Sequence, residues 1–395
     1  MNQAKPPPSK WKTVISRFSR VTSSGSYMPE IDGLRFVAIM AVLLYHAHIL
    51  FFANAIPQGV NFPISWDWLN FAIGQGWFGV QIFFVISGFV LALPFAGQYL
   101  EGRKSVNLKT YYSRRMVRIG FPYLIALTLG LFFELSKGIS FQECLPHYAA
   151  GMIYSHGLFY EGSLNPILFV SWTLEIEIQF YLLAPLLCKV FKLRSFALRA
   201  IILLTSIFLI QKLSGQLNHY FPSGIWPHSI VGQLQFFLAG LLLGDLYLTF
   251  WKNKPRSSSS AWAYDIVGVA SWLFIPFALK INSSHSWLAY LLLIAFTCVL
   301  RGRLLKSLLS LPIVATLGGM CYSIYLFHGA ILYFLHYSLI IPIFGIQKGN
   351  WPINLLPMAL LILLTLLGCS VVYYFIERPS MRWGGKKKAT SPNQS

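Results

Sequence analysis

Inside the apolar stretch EIDGLRFVAIMAVLLYHAHIL, residues 30–50, stand Arg35 and His46. Their separation turns an α-helix through about 1100°, within about 20° of three whole turns, so both side chains fall on one face about 16 Å apart. An ionisable group inside an apolar span is costly and normally faces a bundle interior or a watery cavity. Two on one stripe describe a polar path along the helix. Imidazole titrates near neutral pH, which suits His46 to take a proton as a general base, or to accept a transferred group and pass it on. The plainer reading makes Arg35 an anchor at the inner helix end and His46 a hydrogen-bonded packing residue.

Two further ionisable groups occupy apolar segments: His328 in CYSIYLFHGAIL and Glu177 in SWTLEIEIQFYLLAPLL. Counted from the inner ends of their segments, His46, His328 and Glu177 lie at depths of about 20, about 21 and about 18 Å. The expected catalytic set is therefore His46, Arg35, Glu177 and His328, with Glu177 placed to fix the imidazole tautomer and stabilise an imidazolium. The competing reading is a structural His–Glu bond between helices. Glu175 lies about 200° round the helix from Glu177 and faces elsewhere. In GWFGVQIFFVISGFVL, Gly76, Gly79 and Gly88 read as close-packing positions, and Ser87 as a back-bonded serine. A third constellation is YYSRRMVRIGFPY. Arg115 and Arg118 are one helical turn apart with Arg114 beside them, a spacing that lets guanidiniums grip the phosphate of a cytoplasmic ligand. Basic residues in such a loop also serve topology and lipid headgroups.

The elements that must position these residues are membrane helices. The chain is 56% hydrophobic, 16% aromatic and only 11% charged, with a mean hydropathy of +0.59. Its apolar runs approach the twenty residues that cross a bilayer. Ten spans are expected: 33–53, 74–95, 117–136, 166–188, 197–213, 225–250, 261–280, 285–300, 313–338 and 353–376. The apolar but glycine-broken segment His147 to Tyr160 reads as interfacial or re-entrant. The net charge of +19 comes from clusters between spans, which is a topology signal and not a nucleic-acid footprint. With the N-terminus inside, outer segments keep only Lys137, Lys212, Lys280 and Lys348 of the 31 basic residues, so both termini are expected to be cytoplasmic. The leader MNQAKPPPSKWKTVISRFSR has no apolar core of a cleavable signal. The five cysteines show neither metal-ligand spacing nor a disulfide framework.

Taken together, Arg35-x10-His46, GWFGVQIFFVISGF at 76–89, Arg115-x-x-Arg118, WTLEIEIQFYLLAP at 172–185, SIYLFH at 323–328 and IERP at 376–379 resemble the acyltransferase-3 family of integral membrane acyltransferases. The resemblance implies an all-α, polytopic bundle and transfer of an acyl group, usually acetyl, from cytoplasmic acyl-CoA to a hydroxyl of an envelope glycan or glycolipid. It implies that Arg35 and His46 are needed for activity and that the Arg-x-x-Arg pair serves the acyl-CoA. Acetyl-CoA is then a co-substrate, with no metal. Some relatives carry an extracytoplasmic esterase-like domain after the last span. Here Glu377 is followed only by a short stretch ending KKKATSPNQS, so the acceptor is expected to be handled by the membrane domain or by separate polysaccharide-biosynthesis proteins.

The expected organisation is a basic, Pro-rich leader over 1–29, a transmembrane acyltransferase domain over 30–378 and a basic tail over 379–395, in the inner or plasma membrane. A donor inside and an acceptor outside need a conduit, which the polar stripe offers. A secondary transporter would also place charges at mid-membrane, but the sequence lacks the matching repeat halves of such folds. A receptor without chemistry leaves the His–Glu–His layer unexplained.

Overall fold

A membrane span must satisfy its backbone N–H and C=O groups internally, so an apolar chain of this kind folds as helices. The computed structural model describes residues 27–52, 64–220, 226–252, 258–281, 287–346 and 351–385, and all regular structure among them is helical. The leader before Tyr27 and the tail after Gly385 lie outside the described residues. In chain order come α1 (Pro29–Phe52), α2 (Ile64–Gly74), α3 (Gly79–Leu100), α4 (Leu108–Ser136) and α5 (Phe141–Met152). They are followed by α6 (Ser171–Leu187), α7 (Phe196–Tyr220), α8 (Ile230–Leu246), α9 (Ser258–Ile281) and α10 (Leu288–Arg301). The short α11 (Leu304–Leu309) and α12 (Pro312–Gly319) lead into α13 (Cys321–Leu335), α14 (Trp351–Val372) and the terminal α15 (Arg378–Gly385).

Among the described residues, eight helical stretches are long and apolar enough to cross a membrane, including Pro29–Phe52 and Leu108–Ser136. The other two expected spans fall on α6, with 17 residues, and α10, with 14. At 1.5 Å per residue these reach about 26 and about 21 Å, short of a typical hydrocarbon core of about 30 Å. The apolar run at 166–188 overstated α6 because its first residues, up to Val170, precede the helix. At the other end of the chain the helical path continues beyond residue 378. A π-turn, Tyr373–Glu377, joins α14 to α15, which packs against α4.

Helix α5 doubles back along α4. Ser140 and Glu143 close a capping box at its start. Tyr148 then meets Thr128 at 2.9 Å, and the Tyr123 hydroxyl donates to the Gly151 carbonyl at 2.9 Å. Beyond α5, Tyr154 stacks on Tyr123 and reaches Gly120. Gly120 is about 24 Å of helix back from Ser136, so this excursion is re-entrant relative to α4.

Helices α3 and α8 cross closely at glycines on both sides. A Cβ on Gly88 would stand 2.2 Å from the Phe237 carbonyl oxygen, and one on Gly240 2.3 Å from that of Val85. Gly76 and Gly79 bring the start of α3 equally close to α1, where a Cβ on either would lie 2.3 Å from a carbonyl oxygen, that of Ala41 or Ala38. Small residues allow the backbone approach that drives helix association in lipid. All five cysteines are buried.

Arg199 on α7 is buried against Asp245 on α8. Two bonds of 2.7 and 2.9 Å join them, and Arg199 Nη1 also donates to the Leu193 and Arg194 carbonyls. Asp245→Ala leaves a buried guanidinium without its carboxylate and should destabilise the fold by about 3–5 kcal/mol. Thermal unfolding in detergent reads this, and an unchanged midpoint would show that the pair contributes nothing. Orientation is tested separately. Reporters fused after Ser391 and near Lys254 should behave as cytoplasmic, and those near Gln58 and Lys348 as external, all four sites lying outside the described residues. An external C-terminus would invalidate the charge-based orientation.

Candidate active site

His328 is wholly buried on α13. Its Nδ1 lies 3.0 Å from the Ile324 carbonyl oxygen and 2.8 Å from that of Tyr325. Carbonyls only accept, so Nδ1 carries the proton, and the neutral ring keeps its lone pair on Nε2. That Nε2 is 3.2 Å from His46 Nδ1, which is also 2.9 Å from the Val42 carbonyl oxygen. Both neighbours of His46 Nδ1 are acceptors, so His46 donates there and keeps its own lone pair on Nε2. A polar network thus sets both tautomers. Phe169 packs beside the pair, its ring centroid 5.3 Å from His46 and 6.3 Å from His328. Gly329 makes room for it, since a Cβ there would stand 2.4 Å from the Phe169 ring.

From this pair a file of polar side chains leads toward Arg115. The Tyr325 hydroxyl accepts from Thr173 at 2.8 Å and lies 3.2 Å from the Val170 carbonyl. Thr173, Glu177 and Tyr181 recur every fourth residue and so share one face of α6. Glu177 accepts from Ser87 Oγ at 3.1 Å and from the Tyr181 hydroxyl. The Tyr111 hydroxyl donates to the Tyr181 carbonyl at 3.1 Å. The Arg115 guanidinium lies 3.8 Å from the Tyr111 ring centroid and 5.4 Å from that of Tyr181, a cation–π arrangement. Arg115 Nη1 also donates to the Tyr111 carbonyl. Arg118 is half-buried one turn further along and has no hydrogen-bond partner among the described residues, whereas Arg114 is exposed.

The structure therefore brings His46 and His328 into direct contact but gives Glu177 a different neighbour. The place expected for a carboxylate beside His46 belongs to His328, and Glu177 stands about one helical turn, or 6 Å, beyond Thr173 toward Arg115. The depth count gave Glu177 a layer but not a partner within it, and its bonds go to Ser87 and Tyr181. Ser87 does not bond back to its own helix; Glu177 receives its proton. Arg35 is buried and pairs with Asp32 in its own first turn, while neighbouring Glu30 pairs with Lys306 at 2.7 Å. The lower end of the expected stripe is thus a neutralised pair. Glu175 accepts the Gly157 N–H at 2.9 Å and ties α6 to the turn His156–Phe159. Sequence reasoning passed over Thr173 and Tyr325. Their signal was the i, i+4, i+8 file on α6 and the tyrosine within SIYLFH.

A bundle of apolar helices enclosing such a file is the architecture of a multi-pass membrane protein with a buried polar path. The chain belongs to the acyltransferase-3 family, whose model, described as an acyltransferase domain, matches residues 28–374. It is similar to the O-acetyltransferase OatA of Staphylococcus aureus strain NCTC 8325 / PS 47, with 26% identity over 395 residues, covering 94% of this chain and 60% of that protein. OatA of strain MRSA252 gives the same figures. The chain thus spans about 60% of the length of these curated relatives. No solved structure matches it.

Proposed function

We propose that this protein is an O-acetyltransferase that takes acetyl from acetyl-CoA on the cytoplasmic side of the cell membrane and delivers it to a hydroxyl of an envelope glycan on the other. The observation that carries this reading is the His46–His328 pair, whose hydrogen bonds leave His46 Nε2 with a lone pair. That nitrogen can take the proton of a sugar hydroxyl as it attacks the thioester carbonyl, with the CoA thiolate as leaving group. It can equally attack the thioester itself, forming an acetyl-imidazole that the hydroxyl then cleaves. Arg115 and Arg118, at the far end of the file, suit the phosphates of the donor. Thr173, Ser87 and Glu177 supply polar contacts along the way between the two ends. The relatives' name, O-acetyltransferase, supports the acyl group and the type of acceptor atom, and the family resemblance supports the glycan.

Purified protein given acetyl-labelled acetyl-CoA and isolated envelope glycan should release free CoA thiol and place label on the glycan. Mass spectrometry of envelope glycans from wild-type and deletion strains should show acetyl esters only in the wild type. Absence of both thiol release and any difference in acetylation would sink the proposal. The same assay ranks the two acidic residues of α6. Glu177→Gln should lower turnover by about ten-fold or more, because it weakens charge-assisted bonds from two hydroxyls in the file. Glu175→Gln should act mainly on stability, and the reverse order would remove Glu177 from the site.

A further inference from the structure

The helical path that carries His328 is interrupted just before the span Cys321–Phe344 begins. Helix α12 ends at Gly319 and α13 starts at Cys321, with Met320 between them at the N-cap position. The first amides of a helix lack partners within it, and inside an apolar bundle water is a poor substitute. An N-cap serine, threonine or aspartate normally supplies an acceptor, but Met320 has none to offer and makes no side-chain cap bond.

The acceptor comes from the other end of the domain. Glu377 is wholly buried, and its Oε2 accepts the Ser323 N–H at 2.9 Å and the Ser323 hydroxyl at 2.6 Å. It is the last residue of the π-turn Tyr373–Glu377. Such single wide turns recur at functional sites. A carboxylate at a helix N-terminus also meets the positive end of the helix dipole.

What this cap holds is the tautomer lock. The carbonyls that accept from His328 Nδ1 belong to Ile324 and Tyr325, the two residues that follow Ser323. The same short stretch carries the Tyr322 hydroxyl, which donates to the Ile119 carbonyl beside Arg118 at 2.7 Å. If the first turn of α13 frays, both carbonyls shift, and His328 loses the bonds that keep its Nε2 an acceptor toward His46. We infer that Glu377 is a positioning residue for catalysis, an N-cap supplied from another helix that sets the His328 tautomer and through it the proton-accepting nitrogen of His46. Neither the family resemblance nor the spacing of IERP assigned it a role.

The inference rests on the acetyltransfer reading, and a double-mutant cycle separates the two. CoA thiol release from acetyl-CoA in the presence of envelope glycan is measured for the full chain in detergent. The proteins compared are wild type, Glu377→Ala, His328→Ala and the double variant. Glu377→Ala should lower kcat by about ten-fold or more with the acetyl-CoA KM unchanged, as loss of a buried cap at a catalytic helix predicts. In the His328→Ala background the same change should cost less than about three-fold, because the residue it positions is gone. Glu377→Gln keeps an acceptor oxygen and should recover most of the activity. Should Glu377→Ala not accumulate, the cycle is run with Ser323→Ala, which removes the 2.6 Å bond and should show the same dependence on His328. Equal costs in both backgrounds, or an effect confined to KM, would overturn the inference and leave Glu377 a structural cap. A wild-type protein that releases no thiol overturns the acetyltransfer reading instead.

Discussion

His46→Ala should lower turnover by about 10²–10⁴-fold, the range that a positioned general base contributes, while acetyl-CoA still binds. The magnitude follows from the hydrogen bonds at the top of the polar file. Val42 and His328 both accept from His46 Nδ1, so the alanine variant loses a base that is oriented as well as present. The two chemical routes part at this residue. If His46 only removes a proton, rapid quenching with labelled acetyl-CoA leaves no label on the wild-type protein, and the alanine variant keeps a slow residual rate. If His46 carries the acetyl group, label is trapped on the wild-type protein and the variant is inert. Normal transfer by His46→Ala would end the assignment and make the His46–His328 bond a packing feature.

The second large effect is expected at the donor end. Removing both guanidiniums in Arg115→Ala, Arg118→Ala should weaken acetyl-CoA binding by about ten-fold to a hundred-fold or beyond, since a hydrogen bond to a charged group contributes about 1.5–3 kcal/mol. The two single variants should differ. Arg115 is engaged with the Tyr111 carbonyl and two tyrosine rings, so its loss also loosens the packing of α4 against α6. Arg118 has no such engagement among the described residues, so Arg118→Ala should act on affinity with little change in thermal midpoint. Arg118→Lys should recover little if the contact with phosphate is two-pronged. Isothermal titration with acetyl-CoA decides it, and unchanged affinity in the double variant would return these arginines to topology.

His46 and His328 were legible in the sequence because an imidazole in an apolar span stands out, and equal depth on two helices is a simple count. The general character of the fold was legible for the same reason. Glu177 was found but assigned a different neighbour, because a depth counted along a span fixes a layer and not the side chain met there, and Glu177 bonds Ser87 and Tyr181. Thr173 and Tyr325 were hidden because hydroxyls are ordinary in membrane helices, and these two meet from positions far apart in the chain. Glu377 was hidden because the carboxylate that mends the break at Met320, whose only local sign is the pair Gly318 and Gly319, arrives from the last span. The return of α5 along α4 was foreshadowed only by the short, glycine-broken apolar segment there.

The burial of every native cysteine makes the natural protein a dark background for thiol chemistry. A single cysteine introduced at Arg114, which is exposed, would give a maleimide too polar to cross the bilayer one clear target. The side of the membrane from which the reagent must be added would report the orientation of the arginine cluster. The degree to which acetyl-CoA slows its reaction would report occupancy there, without any knowledge of the acceptor.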